Sequence, residues 1–101
     1  MLYRLSTPGV GDEVVEIRVL QWHGECGKAF AVGELIVELE THKALIEVRA
    51  GQSGVLRRVF AAEGDWIRVG EPFAVFSERP DEPLGEDTET AAVFLAKFVV
   101  D

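Results

Sequence analysis

Residues 35–50 read LIVELETHKALIEVRA, and on both sides of His42-Lys43 apolar residues alternate with polar ones at the two-residue period of a strand. Leu35, Val37 and Leu39 share one face, and Ala44, Ile46, Val48 and Ala50 share one in the following segment. Folding the chain back about His42-Lys43 sets Leu39 against Ile46, Val37 against Val48 and Leu35 against Ala50. Every inward residue then meets another, and a slip of one position would destroy the match. The pattern predicts an antiparallel hairpin with Lys43 at its tip. His-Lys lacks the glycine or asparagine that two-residue hairpin loops require, so the expected loop is a longer one over a type I turn, Thr41–Ala44. The same register places Glu38 opposite Glu47, a like-charge pair that predicts a solvated outer face.

The pattern then repeats. At an offset of 37 residues, Gly27 falls on Gly64, Val32 on Val69, Gly33 on Gly70 and Glu34 on Glu71, while Phe30 meets Ile67 and Val19 meets Leu56. GKAFAVGE and GDWIRVGE are two copies of one unit: a glycine turn, a short strand, a Gly-Glu turn and a longer strand. Duplication at such a period marks repeated supersecondary units. Two copies suit two facing sheets about a pseudo-two-fold axis, and the second hairpin tip is expected near Ser77–Pro80.

Before the repeat, residues 2–20 read as strand, turn, strand, with turn chemistry at Thr7-Pro8-Gly9-Val10-Gly11. Between the copies, Gly51-Gln52-Ser53-Gly54 is expected to be a plain loop that lets strands approach closely; it lacks the following helix and lysine of a phosphate-binding loop. Residues 78–90 carry Glu78, Asp81, Glu82, Glu86, Asp87 and Glu89 against Arg79, with Pro80, Pro83 and Gly85, and read as a solvated acidic linker. The closing AAVFLAKFVVD fits either of two periods. As a helix, Phe94, Leu95, Phe98 and Val99 make one face; as a strand, it is apolar on both sides. Either way the cluster is too large to leave in water, so the tail is expected to dock on the body or pair with another chain, which leaves self-association through 91–101 open.

Composition narrows the function. A chain of 101 residues supports one sizeable core. It has no apolar run long enough to span a membrane and no leader pattern. Its formal charge of −8 is the wrong sign for a phosphate-backbone partner, which speaks against nucleic acid. One cysteine, Cys26, excludes an intrachain disulfide framework and fits a reducing, cytoplasmic compartment.

With these residues in hand, Glu40-Thr41-His42-Lys43-Ala44 resembles the attachment sequence of lipoyl domains, usually Glu-Thr-Asp-Lys-Ala, within the biotin/lipoyl attachment family. The resemblance spans about residues 2–77, and Pro8-Gly9-Val10-Gly11 is similar to that family's Pro-Asp-x-Gly, without its aspartate. His42 stands where relatives carry aspartate. Biotin-carrying relatives place methionine beside the lysine, and here the only methionine is Met1. The resemblance implies an all-β fold, a flattened barrel or sandwich of two four-stranded antiparallel sheets, with the lysine and the two termini at opposite ends. It implies a domain over 1–77; the linker 78–90 and the apolar tail 91–101 are read from the residues alone, and the resemblance does not account for the tail. It also implies lipoic acid amide-linked to Lys43, with Glu40, Thr41, His42 and Ala44 as the recognition turn.

The implied function is that of a carrier rather than an enzyme, moving acyl groups or electrons in a 2-oxo acid dehydrogenase-like system. Its implied partners are a lipoate-attaching enzyme, a 2-oxo acid decarboxylase, an acyltransferase core and dihydrolipoyl dehydrogenase. The other readings are an unmodified interaction module, in which Lys43 only discourages edge pairing, and a biotin carrier. His42 reads as a turn histidine or as a charge-tuning neighbour of the lysine; His23 reads as a packing or surface residue. His23, Cys26 and His42 lack the spacing of a metal site, and no cysteine–histidine pair has an orienting third group. Ser6, Ser53 and Ser77 lie in no nucleophile motif, so no catalytic residue is expected.

Overall fold

The strand period carries through the whole chain. In the computed structural model, which describes residues 1–9, 14–84 and 91–100, it yields β1 (Leu2–Ser6), β2 (Glu16–Trp22), β3 (Ala29–Phe30), β4 (Leu35–Glu40), β5 (Leu45–Ala50), β6 (Gly54–Val59), β7 (Trp66–Arg68), β8 (Pro72–Ser77), β9 (Ala92–Val93) and β10 (Ala96–Val100). They form two five-stranded sheets, ordered β3-β6-β8-β1-β9 and β10-β5-β4-β2-β7. All pairs are antiparallel except β1 with β9. Between the sheets lie Leu5, Ile17, Phe30, Leu39, Ile46, Leu56, Phe73 and Phe76, each at most 1% exposed. Burying one such side chain is worth about 1.5–3 kcal/mol, and the alternation holds each strand in register around them. Among the described residues no helix is long and apolar enough to cross a membrane.

The duplication seen in the sequence is a duplication of backbone geometry. Among the described residues, Gly27, Gly33, Gly64 and Gly70 are those with positive φ, at 102°, 91°, 94° and 89°. These are the two glycine pairs of the repeat, and an L side chain at such φ is strained. Hydrogen bonds repeat at the same offset. Gly27 N–H donates to Leu56 O (2.7 Å) and Gly64 N–H to Val19 O (2.8 Å); His23 N–H donates to Ile36 O and Phe60 N–H to Phe73 O, both at 2.9 Å. Each copy thus uses its glycine turn to grip a strand of the other. The irregularities repeat too. The β2–β4 ladder shifts between Val19 and Gln21, and the β6–β8 ladder between Leu56 and Arg58.

Three expectations change. First, each sheet has five strands where four were expected, because the tail supplies one strand to each. Second, Leu35 pairs with Arg49 rather than Ala50, since a bulge at Ile36 shifts the end of the ladder; Leu39–Ile46, Val37–Val48 and Glu38–Glu47 stand as read. The bulge turns Ile36 and Val37 both inward, each 0% exposed. Third, no hairpin forms at Ser77–Pro80. There β8 pairs with β1, Leu2 opposite Ser77, so the start of the chain fills the place that β5 fills in the first copy.

The exit from β8 is held rather than loose. Arg57 Nη1 donates to Ser77 Oγ (3.0 Å) and to the carbonyls of Glu82 (2.7 Å) and Arg79 (3.4 Å). Tyr3 Oη donates to Glu78 at 2.7 Å, which favours the protonated phenol and raises its pKa. Val10 and Gly11 of the expected first turn, and Glu86, Asp87 and Glu89 of the acidic stretch, lie outside the described residues.

The tail docks on the body, as a strand. β9 lies along β1, Tyr3 opposite Ala92, and β10 along β5, from Ala96 opposite Ala50 to Val100 opposite Ile46. Between them Phe94, 2% exposed, stacks on Phe76 with ring centroids 4.0 Å apart. Gly54 makes the room, because a Cβ there would stand 2.8 Å from the Phe94 ring. At Gly51 a Cβ would meet the Leu95 carbonyl at 3.0 Å, and Gly51 N–H donates to that same oxygen. The loop between the copies is glycine-rich because the tail packs on it.

Candidate functional site

The tip of the β4–β5 hairpin is built by Thr41. This residue is 8% exposed, and its hydroxyl accepts from the backbone N–H of Lys43 (3.1 Å) and of Ala44 (3.0 Å). Its own N–H donates to Ala44 O at 2.9 Å. A side-chain oxygen thus takes the hydrogen bonds that shape the turn, a role suited to threonine. Among the described residues no non-glycine residue has positive φ, so His-Lys is accommodated in a four-residue loop as expected. His42 and Lys43 are exposed and Ala44 is half-buried.

The turn's flanks differ. Glu40 Oε1 accepts from Arg18 Nη1 at 3.1 Å, and Trp66, opposite Arg18 on β7, is 56% exposed beyond the pair. On the other side, Leu45 is 47% exposed and next to β10. Behind the tip, the Glu38–Glu47 pair is relieved by separate partners: Glu38 Oε1 lies 2.6 Å from His23 Nε2 and Glu47 Oε1 lies 3.3 Å from Arg49 Nη2. Each of these four side chains is about one-third exposed, so the outer face there is partly covered rather than fully solvated.

The structure therefore groups Glu40, Thr41, His42, Lys43 and Ala44 in one turn. His23 is engaged with Glu38, and Cys26 is an exposed free thiol in the loop before β3. Sequence reading missed Arg18 as the partner of Glu40, and Val100, which β10 carries to the tip end of β5. The alternation marks both as strand residues, but no local signal shows which strand lies beside the tip.

The geometry suits a linear group amide-linked to Nζ: an exposed lysine, a backbone fixed by Thr41, and a small Ala44 after it. The methionine that accompanies biotin attachment is missing here; Met1 stands just before β1, which belongs to the other sheet, and its amino group pairs with Glu82. A family model for biotin/lipoyl attachment, described as biotin-requiring enzyme, matches residues 4–76. The dihydrolipoyllysine-residue succinyltransferase component of the 2-oxoglutarate dehydrogenase complex from Staphylococcus saprophyticus is 36% identical over 74 residues, covering 73% of this chain and 18% of that protein. The components of the same description from Bacillus subtilis and Pseudomonas aeruginosa are each 35% identical over 78 residues, covering 77% of this chain and 19% of theirs. The chain spans about a fifth of the length of these relatives. On the family match and the fold, the chain belongs to the biotin/lipoyl attachment family, as a carrier domain homologous to the lipoyl domains of 2-oxo acid dehydrogenase complexes.

Proposed function

We propose that Lys43 carries the lipoyl group and that the chain serves as the swinging carrier of a 2-oxo acid dehydrogenase-type complex. The observation that supports this most directly is the exposed Lys43 on a Thr41-clamped tip, inside a Glu-Thr-x-Lys-Ala turn of a domain of this family. Lipoate, when bound, supplies a dithiolane that takes up and gives up acyl groups or electrons. The chain's own residues hold, present and identify it. Thr41 fixes the backbone at the attachment point. The β4–β5 hairpin carries the lysine exposed at its tip, and the domain raises the effective concentration of the tethered group at successive enzymes. Glu40, His42 and Ala44 form the surface by which the attaching enzyme and later partners tell this tip from others.

Those partners are a 2-oxo acid decarboxylase, an acyltransferase core and dihydrolipoyl dehydrogenase. Residues 2–77 form the carrier body, and 91–100 belong to it as a strap. The exposed thiol of Cys26 supports a reducing, cytoplasmic setting.

The test is the intact mass and peptide map of protein made in a lipoate-sufficient host. One lipoyl group on Lys43 is expected, leaving the chain one charge more acidic than its formal −8. Lys43→Arg should abolish the mass shift and any acyl loading, with stability changed by less than about 0.5 kcal/mol, as for an exposed surface residue. Lipoate on Lys28 or Lys97, or biotin on Lys43, would refute the assignment. An unmodified Lys43 under a competent attaching enzyme would favour the interaction module instead.

A further inference from the structure

We infer that β10 is a pairing edge, and that two copies of this chain associate by laying their β10 strands antiparallel about Phe98. The inference goes beyond the carrier reading and does not depend on Lys43. Open strand edges invite pairing, and one safeguard is to keep them very short. Three of the four edges here are short: β3 and β9 have two residues each and β7 has three. By contrast β10 has five, pairs with β5 without a bulge and contains no proline. Lys97 is the one charged residue in it. Among the described residues no strand covers its outer edge.

The backbone shows what that edge offers. Gly51 N–H donates to Leu95 O at 2.8 Å, while Ala50 turns the other way, its N–H donating to Glu34 O (2.9 Å) and its carbonyl accepting from Gly33 N–H (2.7 Å). In an antiparallel ladder, residues bonded to one neighbour alternate with residues that face away from it. Lys97 and Val99 therefore bond to β5, and Ala96, Phe98 and Val100 turn their N–H and C=O groups to the open edge. One register uses all of these groups. With Phe98 opposite the partner's Phe98, Ala96 meets the partner's Val100 and Val100 meets the partner's Ala96, and each pair exchanges both N–H···O bonds.

The side chains fit the same register. Ala96, Phe98 and Val100 lie opposite Ala50, Val48 and Ile46, which are at most 2% exposed, so they share the inner face. Ala96 and Phe98 are only partly buried against the core, and Val100 is 52% exposed. A second copy continues this apolar row, adding a cross-strand aromatic pair at Phe98 and setting small Ala96 against Val100. On the outer face Lys97 meets the partner's Val99 rather than a second lysine. Beyond that valine lies the partner's Glu47, an opposite charge two strands, or about 10 Å, from Lys97. Because β10 runs toward the tip of the β4–β5 hairpin, pairing sets the two tips at opposite ends of one continuous sheet. The pair then offers two carrier tips to two enzymes at once.

The test uses the full chain. The interface is one strand wide, so sedimentation equilibrium should show a reversible dimer with a Kd on the order of 0.1 mM. Amide exchange at Ala96, Phe98 and Val100 should slow as concentration rises, while Lys97 and Val99, already bonded to β5, should not change. Val100→Pro removes an outward N–H and spares the β5 ladder; it should weaken the dimer about tenfold and leave the melting temperature of dilute protein unchanged. If that variant melts lower, cross-linking decides. In a Cys26→Ser background, Lys97→Cys combined with Val99→Cys sets cysteines opposite one another across the two-fold, with Cα atoms about 4.5 Å apart and within disulfide range. Mild oxidation should give a covalent dimer much faster than with Lys97→Cys alone, whose cysteines stand diagonal. A chain that stays monomeric to about 1 mM, a dimer undiminished by Val100→Pro, or equally fast cross-linking of the single and double variants would each overturn the inference.

Discussion

The two copies of the repeat share their glycine turns, their bulges and the order of their strands, yet they end differently. The first ends in the β4–β5 hairpin with Lys43 at its tip. In the second, β8 finds its partner in β1, and the chain leaves at Ser77 under the hold of Arg57. Leu2 opposite Ser77 corresponds to Leu45 opposite Glu40. What repeats is what backbone geometry demands; what differs is where the chain does something besides fold. The tail reaches both corresponding edges but not in the same way, since β9 extends the β1 edge parallel to it and β10 extends the β5 edge antiparallel.

The largest effect expected within the fold is at Phe94, which joins those two edges. Phe94→Ala should cost about 3–5 kcal/mol, as for a buried aromatic truncated in a core. Chemical denaturation would measure it, and a cost below about 1 kcal/mol would mean that the tail is not part of the body. The symmetry itself is tested by the turn glycines. Gly27→Ala and Gly64→Ala should each cost about 1–2 kcal/mol through the same forced positive φ. Clearly unequal losses in parallel melts would break the equivalence of the copies.

The tip comes next. Thr41→Val keeps the shape and removes the acceptor for two backbone N–H groups, so it should cost roughly 1 kcal/mol and slow modification of Lys43. An unchanged modification rate would show that the hydroxyl does not organise the turn for its enzyme. The smallest effect is electrostatic. Glu34 accepts from Ala31 N–H and from Lys28 Nζ, both at 3.0 Å, and these bonds hold its carboxyl below the ordinary range. In the second copy Asp65 replaces Lys28. A carboxyl with a depressed folded-state pKa stabilises the fold above its unfolded value, about 4.3, and loses that contribution as pH falls through the folded value. Glu34→Gln should therefore lower the melting temperature slightly at pH 7, and the gap should close on acidification below about pH 4. A gap independent of pH would show that the carboxylate's charge is not involved.

What could be read before any coordinates were the hairpin, its register near the tip, the placement of Lys43 and the offset of the repeat. These rest on local chemistry: alternation sets the face of each residue, and only glycine serves at positive φ, so the four turn glycines announce themselves. Glu-Thr-x-Lys-Ala marked the turn, and the loop's threonine clamp follows from residues within three positions of one another.

Three features depended on tertiary structure. Phe98 and Val99 satisfy helical and strand periods alike, and the decision fell to strand because open edges at β1 and β5 lay within reach and Gly51 and Gly54 left room for the crossing at Phe94 and Leu95. The β1–β8 pair replaced a second hairpin because a strand from the other end of the chain already filled that edge. The surroundings of Lys43, with Arg18 on one flank and Val100 on the other, come from strands distant in sequence. Alternation says which way a side chain faces but not which strand lies beside it, and that neighbour is chosen by the packing of the whole sandwich.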